Sequence, residues 1–323
     1  MLRLFFSILL VIVGFGLLTW GAYWLIKGAS SIAKHFHLSD IAIGMTVVAI
    51  GTSAPELFVN LVAGIIRHDE MVFANVIGSN IFNIFMILGF IGIFRKVAIR
   101  KKNVLRELPY SIISFSIVFV LINDRLFFNK DIDTLSQQEA LIVLTLYFLF
   151  LIYVLIALRK NPEEITENPI LELSLKISWL YTIGGIIFLG IGGFIVVEQT
   201  KFITSYLQLT TKLLSLTLVA IGTSLPELTS SISAAKHYKI DIAIGNILGS
   251  NILNIMFILP LSAIFDDLNY NNQLNFDYNI MIIGTALLLS SILTSRSKRL
   301  AKWEAIFFII FYMAYMYFLT IRG

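Results

Sequence analysis

The chain has 323 residues, of which 58% are hydrophobic and only 14% charged, and its mean hydropathy is +0.87, so a soluble domain with a polar surface is excluded and lipid is its solvent. There are no cysteines, which excludes disulfides, thiolate metal centres and a thiol nucleophile. The net charge of +4 comes from Lys and Arg gathered at the ends of apolar segments. That pattern anchors topology and argues against nucleic acid as a partner.

A helix needs about 20 apolar residues to cross the hydrocarbon. Hydropathy, broken at charges and turn residues, predicts spans near 4–27, 39–66, 71–94, 104–122, 138–158, 174–199, 212–235, 240–265, 277–294 and 302–320. The first run, Leu4 to Leu25, follows Arg3 but is long for a signal sequence and has no small-residue cleavage site after it, so it reads as a retained helix. The second, third, seventh and eighth spans carry Gly, Pro or Glu where a lipid-facing helix is plainly apolar. These four are expected to be discontinuous and to face protein or water. Seventeen of the 24 Lys and Arg fall in the loops of one side. The positive-inside rule makes that side cytoplasmic and leaves both termini outside a cell (inner) membrane. The polar stretch from Lys160 to Pro169 separates two halves, giving a first repeat over 1–159, a cytoplasmic linker over 160–173 and a second repeat over 174–323.

Comparing the chain with itself supports that division. Val48-Ala-Ile-Gly-Thr-Ser-Ala-Pro-Glu-Leu57 recurs as Val219-Ala-Ile-Gly-Thr-Ser-Leu-Pro-Glu-Leu228, nine of ten residues identical at an offset of 171. Asn75-Val-Ile-Gly-Ser-Asn-Ile-Phe-Asn-Ile84 recurs as Asn246-Ile-Leu-Gly-Ser-Asn-Ile-Leu-Asn-Ile255 at the same offset. Gly14 and Gly21 pair in the same way with Gly185 and Gly192. Five spans per copy is an odd number, so the second copy enters the membrane from the opposite side. The expected fold is an all-α membrane protein of ten transmembrane helices, built as two inverted five-helix repeats around discontinuous helices 2, 3, 7 and 8. In secondary transporters of that kind the substrate sits near mid-membrane at the repeat interface.

In Gly51-Thr-Ser-Ala-Pro-Glu56 the glycine permits a non-helical turn, and the proline suits the first turn of a resumed helix. The helix should break just before Pro55, freeing the carbonyls of Ala49 and Thr52 beside Glu56. The other copy offers Ala220, Thr223 and Glu227. A lone intramembrane acid costs roughly 2.5 kcal/mol or more, so a facing pair needs protons or a counter-charge, which one divalent cation supplies. Each Glu read singly caps its own helix, but exact duplication favours a shared site. Ser79 with Asn83, and Ser250 with Asn254, are spaced to share one helix face and point at the acids. Gly78, Asn80, Gly249 and Asn251 read as helix-packing residues. The resulting set is all oxygen, which suits calcium and sodium and argues against zinc, copper and, less strongly, magnesium.

At these residues the sequence resembles the sodium/calcium exchanger family of the calcium:cation antiporters, and most of all its short prokaryotic members. The resemblance implies an antiporter without catalytic residues or resident cofactor, whose partners are transported calcium and sodium and the lipid bilayer, with no obligatory protein partner. Carried over residue by residue, the family's ion ligands fall on Ala49, Thr52, Ser53, Glu56, Ser79 and Asn83, and on Ala220, Thr223, Ser224, Glu227, Ser250 and Asn254. Many prokaryotic and potassium-dependent members have Asp where this chain has Asn254, so the site is expected to carry two formal negative charges and to exchange sodium for calcium electrogenically and without potassium. Proton/calcium exchange is the nearest alternative. An intramembrane aspartyl protease lacks its G-x-G-D and Y-D contexts here, and a channel needs a continuous pore rather than paired broken helices.

Overall fold

The computed structural model describes residues 2–36, 49–94, 97–98, 104–160, 173–236, 240–294 and 299–322. The expected linker over 160–173 lies almost wholly outside the described residues, as does the start of the second predicted span. The described chain is helical apart from four two-residue strands and the turns between elements. The helices are α1 (Leu2–His35), α2 (Ala49–Thr52), α3 (Ala54–Ile65), α4 (Asp69–Phe94), α5 (Val104–Ile122), α6 (Gln137–Lys160), α7 (Leu175–Leu207), α8 (Thr211–Thr223) and α9 (Leu225–Lys236). Next come α10, built from Ile240–Leu253, Asn254–Ile258 and Leu259–Ser262, then α11 (Asn275–Thr294) and α12 (Lys302–Arg322). A short helix, Asp124–Phe128, and a 3₁₀ turn, Asn272–Leu274, lie in the connections.

Seven helical stretches among the described residues are long and apolar enough to span a bilayer, and the bent pair α8–α9 makes an eighth. Large apolar side chains such as Phe5, Ile12, Leu149, Ile187 and Ile310 are exposed, an outward apolar surface that lipid covers. The protein is a multi-pass helical membrane protein.

The longest helices, α1 and α7, run antiparallel along a seam of small residues. A Cβ on Gly21 would lie 2.9 Å from the Gly185 carbonyl, one on Gly192 2.9 Å from the Gly14 carbonyl, and one on Gly28 2.5 Å from the Thr182 nitrogen. In lipid, apolar burial gives no drive for helices to associate, so such backbone approach replaces it. The contacts are reciprocal: Gly14 meets Gly192 and Gly21 meets Gly185, each the other pair displaced by 171.

The core gathers on α4, which is buried along nearly its whole length and carries Phe73, Ile77, Ile81, Ile84 and Phe85. Phe85 stacks on Phe311 of α12, and the buried Tyr278 of α11 donates to the Phe115 carbonyl of α5 at 2.9 Å. Two antiparallel bridges tie the connections at opposite ends of the bundle. Strand β1 (Val97–Ala98) pairs with β4 (Arg299–Leu300), and β2 (Thr134–Leu135) with β3 (Leu268–Asn269). At the β2–β3 end, buried Asp277 in the first turn of α11 accepts from Tyr315 (2.9 Å) and from both terminal nitrogens of Arg322 (3.2 and 3.0 Å), pinning the end of α12.

The predicted interruptions take two forms. In the second and seventh spans the helix stops: Ser53 (φ −87, ψ 11) separates α2 from α3, and Ser224 (φ −84, ψ 10) separates α8 from α9 with a 45° bend. In the third and eighth there is no break. The helix instead widens into π turns at Phe82–Ile87 and Asn254–Ile258. A π turn carries one residue more than an α turn, which re-aims Asn83 and Asn254 while keeping the backbone hydrogen-bonded at membrane depth.

Candidate functional site

The serines that end α2 and α8 are each followed by a small or apolar residue, a proline and a glutamate, so Glu56 and Glu227 sit in the first turns of α3 and α9. There the unpaired amides and the helix dipole favour negative charge. The two motifs interlock. Ser53 Oγ donates to Glu227 Oε1 and Ser224 Oγ donates to Glu56 Oε1, both at 2.8 Å. All four residues are buried. Ser250 Oγ adds a longer bond to Glu227 Oε1, 3.4 Å, whereas its counterpart Ser79 donates to the Ala220 carbonyl at 3.4 Å.

A second crossed set lies on α4 and α10. Asn83 Nδ2 donates to Asn251 Oδ1 and Asn254 Nδ2 to Asn80 Oδ1, both at 2.9 Å. Asn80 and Asn251 turn their own amides onto each other's backbone carbonyls, at 3.2 and 3.5 Å. This brace engages one hydrogen on the nitrogen of each of Asn83 and Asn254 and sets which way their oxygens point. Among the described residues, Glu56 Oε2, Glu227 Oε2, Asn83 Oδ1 and Asn254 Oδ1 are buried and receive no hydrogen bond, and neither carboxylate has a basic partner within 4.0 Å. Buried oxygens with no donor and no counter-charge are unfavourable alone, and such oxygens are the kind of ligand that hard cations take.

Of the twelve residues singled out from sequence, the described structure links Ser53 with Glu227 and Ser250, Ser224 with Glu56, and Ser79 with Ala220 by hydrogen bonds. Thr52 and Thr223 are buried on the last turns of α2 and α8. Ala49 opens α2. The Ala220 carbonyl is not freed as expected, because the helix runs on far enough for the Ser224 amide to reach it at 3.2 Å. Thr223 Oγ1 bonds to Asn75 Oδ1 at 3.4 Å. Asn80 and Asn251, read from sequence as packing residues, bond across between α4 and α10 and brace Asn83 and Asn254. Their exact duplication at the offset of 171 was the available signal.

Beyond the carboxylates the two copies diverge. On α3, Gly64 lies against α10, and a Cβ there would be 2.8 Å from the Ser262 carbonyl. The residues equivalent to Gly64 and Ser262 are Ala235 and Ile91. These line a cavity of about 480 Å³ with Phe90, Phe94, Ile232 and Lys236. The closed contact lies at the end of the bundle holding Arg67 and Asp69, and the cavity at the opposite end of α4.

Apolar helices enclosing two crossed, donor-poor carboxylates among hydroxyl and amide oxygens fit a membrane cation antiporter. A family model described as sodium/calcium exchanger protein matches residues 6–156 and 177–321, and the chain belongs to the sodium/calcium exchanger family. It is 29% identical over 342 aligned positions, 96% of this chain and 97% of the relative, to the sodium/calcium exchanger MaX1 of Methanosarcina acetivorans. It is 31% identical to the inner membrane protein YrbG of Escherichia coli, covering 85% of each. A solved structure of the sodium-calcium exchanger NCX_Mj superposes with a TM-score of 0.64 at 30% identity, over 97% of this chain and 98% of that one. The protein is a transmembrane cation/calcium antiporter.

Proposed function

We propose that this antiporter exchanges sodium for calcium by alternating access to one mid-membrane site, with charge movement and without potassium. The observation that carries this reading is the crossed Ser53–Glu227 and Ser224–Glu56 pair, which leaves the other oxygen of each carboxylate, like those of Asn83 and Asn254, buried and without a hydrogen bond among the described residues. Ala49, Thr52, Ser79, Thr223 and Ser250 complete the proposed ligand set, without the Ala220 carbonyl, which is already hydrogen-bonded. Calcium cancels two carboxylate charges. More than two sodium ions leave the same site net positive, so the ions replace one another only with charge crossing the membrane.

The reading takes the chain as ten transmembrane helices in two inverted repeats, divided near 160–173. It is supported by the offset of 171 kept through both motifs and by the reciprocal Gly14–Gly192 and Gly21–Gly185 contacts. With the basic-rich loops cytoplasmic, both termini are extracytoplasmic, the Gly64–Ser262 contact is the outer seal and the cavity at Ala235 opens inward. Alternating access then consists of exchanging the two packings.

Calcium uptake into proteoliposomes loaded in turn with sodium, potassium or a proton gradient tests the reading. Sodium alone should drive uptake. Uptake that demanded potassium, or followed only the proton gradient, would replace it with a potassium-dependent or proton/calcium exchanger, and flux without any counter-ion would indicate a channel.

A further inference from the structure

Glu56, Asn60 and Gly64 follow one another at intervals of four on α3, so they form one face running from the carboxylate to the outer seal. The equivalent face of α9 is Glu227, Ser231 and Ala235, and its last member lines the inner cavity. The cavity reaches only that last member, since Ser231 and Glu227 are buried, and at the other end the equivalent face is closed where Gly64 meets Ser262.

The middle residue of each face differs between the copies. On the inner face Ser231 is satisfied, accepting from Asn246 Nδ2 at 3.1 Å. At the same two positions the outer face has Asn60 and Asn75, both fully buried. Among the described residues, neither the nitrogen nor the oxygen of Asn60 has a partner, and the Asn75 nitrogen has none either. Asn75 Oδ1 is held by Thr223. A buried amide with both groups unpaired is destabilising, and packing alone explains nothing about it, since an apolar residue of the same volume would fill the place better.

Building on the exchange proposed above, we propose that Asn60 is a cation station on the outer route, one helical turn outward of Glu56. Its carbonyl oxygen takes a partly hydrated calcium or sodium ion when the seal opens, and its nitrogen holds a water of the ion's remaining shell. Amide oxygens are hard, neutral ligands of both ions, so the station receives a cation without trapping it, and hands it to the charged pair inside. The inner route, with Ser231 already bonded to Asn246, lacks an equivalent.

Initial rates of radiolabelled calcium uptake, measured in right-side-out and inside-out membrane vesicles holding the full chain, test this. Asn60→Ala should raise the half-saturating calcium and sodium concentrations at the outer face about fivefold, the loss of one neutral polar contact, and leave those of the inner face unchanged. Asn60→Asp, which keeps the side-chain volume, should tighten calcium at the outer face only. A structural role would move both faces together, so equal shifts at the two faces, or an unchanged outer constant in both variants, overturns the station. Those results leave sodium/calcium exchange standing, whereas a wild-type protein that moves no calcium would sink both.

Discussion

At the end of the bundle holding Arg67 and Asp69, the proposed outer end, Gly64 of α3 lies against the backbone of Ser262, while at the opposite end the equivalent Ala235 and Ile91 border a cavity of about 480 Å³. The flanking residues differ in the same sense. Ala54 is 1% exposed and its counterpart Leu225 is 37% exposed, and Asn75 is buried where Asn246 is only half-buried. Between these ends the middle is nearly symmetric, with crossed Ser–Glu and Asn–Asn pairs of matching length. A duplicated sequence thus supports a near-symmetric middle and two unequal ends, which is what the alternating access proposed above requires. The closed end has polar reinforcement. Arg67 pairs with Asp266, Asp69 accepts from the backbone and side-chain nitrogens of Asn269 at 3.0 Å, and Glu70 accepts from Asn271 at 2.8 Å.

The symmetric middle makes the strongest prediction. Glu56→Gln and Glu227→Gln should each reduce exchange to about 1% of wild type or less, because one carboxylate cannot neutralise a dehydrated divalent ion. Normal calcium uptake by either variant would remove the carboxylate pair from the account.

Asn254→Asp probes the brace. Asn254 donates to Asn80 Oδ1 at 2.9 Å, and a carboxylate there sets two acceptors against each other unless it is protonated. The nitrogen of Asn80 is already engaged by the Asn251 carbonyl and Met281 sulfur, so a flip of Asn80 gives no relief. The substitution should slow sodium-driven exchange about tenfold and make it pH-dependent. The protonated acid imitates the amide, so the rate should be highest at acid pH and fall as pH rises. Asn83→Asp, facing Asn251, should behave alike, and opposite pH trends in the two would break the symmetry.

The unequal ends are tested by accessibility. With no native cysteines, Ser262→Cys reports the outer seal and Ile232→Cys the inner cavity. Gly64→Ala adds a methyl against the Ser262 backbone and should weaken the closed outer packing by about 1–3 kcal/mol. An impermeant thiol reagent should then reach the thiol introduced at position 262 from outside, while the thiol introduced at position 232 labels less. Unchanged labelling would mean that this contact is not the seal. The smallest effect belongs to the exposed Arg67–Asp266 pair. Arg67→Ala should shift the same labelling balance by at most about 1 kcal/mol, and high salt should mimic it.

The repeat and the stops at Ser53 and Ser224 were legible in the sequence, since Gly and Pro have direct local consequences, whereas the spacing of four aimed Ser79 and Asn83 at the acids and the structure turns them to the Ala220 carbonyl and to Asn251. Three features were not legible. The π turns at Phe82–Ile87 and Asn254–Ile258 contain no residue that demands them. The brace of Asn80 and Asn251 crosses between copies, and which amide atom meets which carbonyl is set by packing geometry. The inequality of the two ends was not read either: the equivalent positions differ, Gly64 from Ala235 and Ser262 from Ile91, but which end packs closed depends on contacts between helices distant in the chain.

The most direct measurement is calcium uptake into sodium-loaded proteoliposomes whose membrane potential is clamped by ionophore in potassium-free and potassium-containing media. More than two sodium ions leaving for each calcium carry net positive charge outward, so an inside-positive potential should accelerate uptake and steepen the final gradient, with about 2.3 kcal/mol per elementary charge for each 100 mV. Potassium should make no difference. A rate and final gradient indifferent to potential, or uptake only when potassium is present, would contradict a site with two carboxylates as its only charges.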